Sequence, residues 1–153
     1  MKYKHIIWDW NGTILDDRWL TISAMNSVLA RRNMDELTED RYLQLFTFPV
    51  IDYYRRLGFD FEKTSFSELG TEFINEYNTR AFEPQLHDGI IDLLDELNKN
   101  GVSHSILSAS SQKILNTLAT HHNIEHYFKA VLGQDNHYAY GKIETGKTLI
   151  NKL

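Results

Sequence analysis

The sequence predicts an α/β fold in which a parallel sheet is interrupted once by an all-helical insert. Apolar, strand-like runs occur at residues 5–10, 102–107 and 130–132, each followed by turn-forming residues. Segments of helical periodicity separate the later strands, and residues 17–83 show helical spacing alone. Strand, long helical stretch, helix, strand, helix, strand, helix is the alternation of a parallel sheet with crossover helices.

The first run reads His-Ile-Ile-Trp-Asp-Trp and stops at Asn11-Gly12. Its nearly continuous apolar character fits a strand covered on both faces. Apolar residues then recur at Leu20, Ala24 and Val28 and at Trp19, Ile22, Met25 and Leu29, which predicts a helix over 16–32 with Asp16 and Asp17 at its positive end. A helix over 38–46 has Thr38 as N-cap, and one over 49–57 begins with Pro49 and ends at Gly58. A helix over 65–80 completes the insert.

The pattern changes after Phe82-Glu83-Pro84. A helix over 89–100 carries Ile90, Ile91, Leu93, Leu94 and Leu97, and the strand at 102–107 runs into Ser108-Ala109-Ser110-Ser111. A helix over 112–121, the strand at 130–132 and a final helix over about 145–153 follow. Residues 1–16 and 84–153 are therefore expected to form the α/β core, and 17–83 the helical insert.

Composition narrows the function. With 153 residues the chain suits one core with a small accessory layer. Lys and Arg number 16 against 21 Asp and Glu, a net charge of -5, so no overall positive field exists to hold nucleic acid or an anionic membrane. The absence of cysteine removes disulfides, thiolate zinc sites and a cysteine nucleophile together. The short apolar run before Asp9 is no signal peptide or membrane span. A soluble cytoplasmic protein is expected. The histidines show no metal spacing, since His121 and His122 are adjacent and His104 sits in a strand.

Three places carry chemistry. Asp9-Trp10-Asn11-Gly12-Thr13-Ile14-Leu15-Asp16 follows the first strand, and a carboxylate at the carboxyl end of a parallel strand points into the crevice where ligands bind. Gly12 permits the sharp turn. Ser108 follows the second strand and opens a serine cluster just before a helix, a place where a hydroxyl more often simply caps the helix. Lys142 lies after the third strand, just before the last helix. Gly141 to Thr148 also matches the pattern Gly-x4-Gly-Lys-Thr of a nucleotide-binding loop, but no buried strand precedes it and little chain follows.

The order Asp9, Ser108, Lys142, each after a successive strand, resembles the haloacid dehalogenase superfamily of aspartate-nucleophile phosphohydrolases, in its phosphoglycolate-phosphatase-like branch with a helical cap. The resemblance implies a Mg²⁺-dependent phosphatase of a small phosphorylated metabolite, working through an aspartyl-phosphate. Asp9 would be nucleophile and metal ligand, and Asn11 a catalytic-loop residue offering its backbone carbonyl to Mg²⁺. Gly12 and Thr13 would support the loop. Ser108, Ala109 and Lys142 would bind the phosphate, while residues 17–83 would form the cap.

Two departures stand against that pattern. Position 11 is Asn where the family carries an aspartate general acid and base, and an amide does not exchange protons near neutral pH. No Gly-Asp-x-x-x-Asp segment follows Lys142, so the core is expected to be C-terminally incomplete, with the Asp9 strand on an edge that invites a homodimer. A catalytically silent protein of the same fold, acting through a partner or dimer, is the alternative expectation.

Overall fold

The structure, a computed structural model, describes residues 3–134 and 143–151. In chain order the elements are β1 (His5–Trp8), α1 (Arg18–Ala30), α2 (Glu39–Leu45), α3 (Val50–Leu57), α4 (Phe66–Thr79), α5 (Ile90–Lys99), β2 (Ser103–Ser111), α6 (Gln112–His121), β3 (Phe128–Gln134) and α7 (Ile143–Ile150). A short 3-10 turn, Glu125–Tyr127, precedes β3. The chain divides into two compact units. One holds the chain through Asp17, the segment that begins at Phe82 and the C-terminal helix; the other holds Arg18–Ala81.

In the first unit the three strands are parallel, in the order β1-β2-β3. His5 pairs with Ser103 and Trp8 with Ile106; Leu107 pairs with Leu132 and Ser111 with Gln134. Among the described strands β1 bonds to β2 alone, the edge position the sequence predicts. Its core gathers Trp10, Ile14, Leu15, Leu94, Ile106, Leu115, Leu118 and Ile124, all essentially inaccessible to solvent. Burying side chains of this size contributes ~1.5–3 kcal/mol each.

All three strands differ in length from their sequence expectation: β3 runs Phe128–Gln134 rather than 130–132, and the other two differ for reasons found in their neighbours. β2 continues through Ser111 because Gln112 holds β3 beside it. The Gln112 amide Nε2 donates to Val131 O at 2.9 Å, and its Oε1 accepts the Gly133 N–H at 2.8 Å. Gly133 makes that approach possible, since a Cβ there would lie 2.7 Å from Ser110 O and 2.8 Å from Gln112 Cα. β1 stops at Trp8, because the chain then turns the Trp10 side chain fully into the core. The Trp10 carbonyl accepts the N–H groups of Thr13, Ile14 and Leu15 at 3.2, 3.0 and 3.0 Å.

The helical unit is built from local signals that the sequence displays. Thr38 caps α2 by accepting the Arg41 N–H, Gly58 ends α3 in the left-handed region at φ 99, and Ser65 and Glu68 form a reciprocal capping box at the start of α4. Met25, Val28, Leu29, Leu37, Tyr53, Tyr54, Leu57, Phe59 and Leu69 form its core cluster. Arg32, in the turn that follows α1, bonds to Glu72 of α4 at 2.6 and 3.0 Å. α1 begins at Arg18 rather than Asp16, because Asp16 and Asp17 belong to the loop that precedes it. Among the described residues no helix is long and apolar enough to cross a membrane.

Candidate functional site

β1 delivers Asp9 to its carboxyl end, exposed to solvent, and the Trp10 N–H fixes one carboxylate oxygen, Oδ1, at 2.8 Å. The following loop is wound tightly around the Trp10 carbonyl. Gly12 takes φ 70, a conformation that costs a side-chain-bearing residue ~1–2 kcal/mol, and its N–H points to two acceptors, Leu15 O at 2.9 Å and Asp17 Oδ1 at 2.7 Å. Thr13, at the outside of the turn, is exposed.

Asn11 is the junction of this loop. Its amide nitrogen donates to Asp17 Oδ2 at 2.7 Å. Its Oδ1 accepts the Ser110 hydroxyl at 2.7 Å and, more weakly, that of Ser108 at 3.4 Å. A carboxylate can only accept, so Asp17 dictates that the amide presents its nitrogen there and its oxygen to the serines. Asp17 is only 1% exposed; a carboxylate buried to that degree is tolerated when donors face it, and the Gly12 N–H and the Asn11 amide supply them. The carboxyl ends of β1 and β2 and the loop that runs to Asp17 are thereby tied together through side chains.

The predicted phosphate binders fall unevenly. Ser108 and Ala109 lie within β2, not at a helix start: Ser111 is the residue that caps α6, accepting the Ile114 N–H. Ser108 is wholly buried, and its Oγ also accepts the Ser110 N–H at 3.0 Å. Its hydroxyl therefore serves the junction with Asn11 first. Ala109 is half-buried. Lys142 lies outside the described residues. The nucleotide-loop pattern is excluded by helix formation, for α7 already runs from Ile143 through Gly146, Lys147 and Thr148, where Lys147 pairs with Glu144 and the Thr148 hydroxyl donates to Glu144 O.

Two residues that sequence reasoning missed are Asp17 and Ser110. The available signal was an acidic pair shortly after Asn-Gly, and a second hydroxyl in the serine run. A hollow of 460 Å³ lies nearby, lined by residues 85–92 and His122. This segment is stitched to the loop by Asp16 N–H to Gln85 O and His87 N–H to Ile14 O, at 2.8 and 3.0 Å. None of the predicted site residues lines it.

Among the described residues no group of three or more His, Cys, Asp or Glu gathers to hold a metal. The two donors expected from the sequence, the exposed Asp9 carboxylate and the main-chain carbonyl of Asn11, are both hard oxygens. That suits a cation which keeps several waters and takes further oxygens from a substrate phosphate, as Mg²⁺ does.

A family model of haloacid dehalogenase-like hydrolases matches residues 6–142. The chain belongs to that family. A 5'-nucleotidase of Pseudomonas aeruginosa is 25% identical over 141 residues, covering 88% of this chain and 61% of that protein; the chain thus spans less than two thirds of that relative's length. A haloacid dehalogenase-like hydrolase of Streptococcus pneumoniae superposes with a TM-score of 0.78 at 18% identity, over 99% of this chain and 71% of the other. A Lactobacillus plantarum structure described as a phosphoglycolate phosphatase gives 0.80 at 15%, over 99% and 73%. Identities this low speak for the fold, and the parallel α/β sheet is that of haloacid dehalogenase-like hydrolases.

Proposed function

We propose that this chain is a Mg²⁺-dependent phosphatase of a small phosphorylated metabolite, acting through an aspartyl-phosphate on Asp9. One observation carries the reading: Asp9 stands exposed at the carboxyl end of a parallel strand, with its carboxylate oriented by the Trp10 N–H. Attack by an Asp9 oxygen on phosphorus would displace the substrate's alcohol oxygen, and water would then cleave the acyl-phosphate and restore the carboxylate. Mg²⁺ would be held by the Asp9 carboxylate and the Asn11 main-chain carbonyl and would offset the repulsion between carboxylate and phosphate. Gly12 and Thr13 support the loop, Ala109 and Lys142 bind the phosphate, and Ser108 contributes through its bond to Asn11. Residues 17–83 act as the cap that selects the leaving group.

The weak step is proton transfer. Asn11 has no acid to give to the leaving oxygen, and a missing general acid or base costs ~10²- to 10⁴-fold in rate. The Asn11 amide, bonded to Asp17 and to Ser110, favours a second reading, a protein of the same fold that is silent in catalysis and works through a partner. Hydrolysis of an aryl phosphate with Mg²⁺ separates the two, comparing the native chain with Asp9→Ala and Asn11→Asp. The phosphatase reading requires activity that Asp9→Ala removes and Asn11→Asp raises. Activity indifferent to Asp9→Ala would rule out the nucleophile.

A further inference from the structure

An asparagine followed by glycine is the dipeptide in which the backbone nitrogen most readily attacks the preceding side-chain carbonyl, because glycine has no Cβ to crowd the ring that forms. This chain has two such dipeptides, Asn11-Gly12 and Asn100-Gly101. Their surroundings differ. The Asn100 amide donates to Glu96 O and the Gly101 N–H to Asn98 O, both main-chain carbonyls.

At Asn11-Gly12 a single buried carboxylate touches both nitrogens that would react. Asp17 Oδ1 accepts from the Gly12 N–H and Oδ2 from the Asn11 Nδ2, each at 2.7 Å. The carbonyl oxygen between them, Asn11 Oδ1, receives hydroxyls from Ser110 at 2.7 Å and Ser108 at 3.4 Å. We propose that Asn11 is a self-catalysed deamidation site, with Asp17 carrying the proton from the attacking Gly12 nitrogen to the departing amide and the two serines stabilising the oxyanion.

The step balances within the protein. Asp17 takes the Gly12 amide proton, at the expense of that N–H's second bond to Leu15 O, while the nitrogen lone pair forms a bond to Asn11 Cγ. The carbonyl π pair moves onto Oδ1, where the hydroxyls hold it. As the carbonyl re-forms, the Cγ–Nδ2 bond breaks, and Nδ2 takes the proton from Asp17 and leaves as ammonia. Water then opens the cyclic imide to aspartate or isoaspartate. One water is consumed and one ammonia released, with no oxidant or reductant. Opening to aspartate installs at position 11 the carboxyl whose absence weakens the proposed phosphatase; that consequence rests on the proposed function, while the chemistry at Asn11 does not.

Peptide mapping by mass spectrometry on the full chain, aged at mildly alkaline pH, provides the test, with Asn100 as internal reference. In the folded protein Asn11 is expected to convert about tenfold faster than Asn100, a modest share of the ~10²-fold that a placed acid–base group supplies; in urea the two sites should convert alike. Asp17→Asn and Ser110→Ala should each slow Asn11 toward the Asn100 rate and leave Asn100 unchanged, with circular dichroism checking the fold. Should Asp17→Asn not fold, Ser110→Ala decides. An Asn11 rate no greater than that of Asn100 in the folded chain overturns the proposal, as does a rate unchanged in the folded variants. Aryl-phosphate hydrolysis that rises with the aspartate fraction supports the phosphatase reading as well; conversion without that rise upholds the deamidation site and counts against the phosphatase.

Discussion

The indole of Trp8 donates its Nε1–H to His104 Nδ1 at 3.2 Å, joining the edge strand to the centre of the sheet. This bond requires a neutral imidazole whose proton sits on Nε2. Protonation would convert the acceptor to a donor and break the pair.

A pH dependence follows, with a definite sign. Burial first, and the neighbouring His5 second, hold His104 below its ordinary value of 6.5. His5 is lowered by burial and by Lys129 of β3, and His122 by burial and by His121. A base whose folded pKa is depressed binds its proton more readily when unfolded, so stability is complete above about pH 6.5 and declines as pH falls below it. Urea midpoints measured between pH 7.5 and 5.5 should decrease. His104→Gln retains an acceptor for Trp8 without titrating, and should reduce that slope; an unchanged slope would remove His104 from the account.

Gly133→Ala should destabilise the first unit. The added methyl meets main-chain atoms of Ser110 and Gln112 at 2.7–2.8 Å, which no side-chain rotation relieves. A cost in the range of overpacking, ~1–3 kcal/mol, is expected in urea unfolding. The displacement falls on Ser110, so any aryl-phosphate activity should decline with it. A variant as stable as the native chain would show that β2 and β3 separate easily here.

Ser65→Ala should weaken the start of α4. The hydroxyl accepts the Glu68 N–H at 3.2 Å, and Glu68 answers through the Ser65 N–H at 3.0 Å. Loss of such a cap costs ~1 kcal/mol, read as a lower thermal midpoint. Because the fault lies in the helical unit, amide exchange should accelerate in α4 and remain unchanged in β2.

Asp17→Ala should loosen the loop more than its size suggests. It leaves the Gly12 N–H with Leu15 O alone and removes the Asn11 amide's partner at 2.7 Å. Hydrogen bonds to a charged group contribute ~1.5–3 kcal/mol each. Asp17→Asn is expected to be milder, since it can keep one acceptor. Equal melting temperatures for Asp17→Ala and the native chain would show that the junction contributes little to folding.

Local signals made most of the helical unit legible. Thr38 and Gly58 act at the ends of α2 and α3 as the sequence predicts, because capping depends on the residue itself and its immediate neighbours. The parallel sheet and the position of Asp9 were legible for the same reason, an apolar run ending at a glycine turn. What escaped reading depends on contacts distant in sequence. β2 extends to Ser111 because Gly133 and Gln112 meet across the strands, and the helix-start role expected of Ser108 belongs to Ser111. The junction of Asn11 with Ser110 spans 99 positions in the chain, so no window on the sequence contains it.

The loop's dependence on the Trp10 carbonyl has a kinetic corollary. Thr13, Ile14 and Leu15 all return their amides to that one oxygen, so none can be exposed singly without disturbing the others. Hydrogen exchange at the three should share one opening event and one rate, and the turn behind Asp9 should open as a unit or not at all.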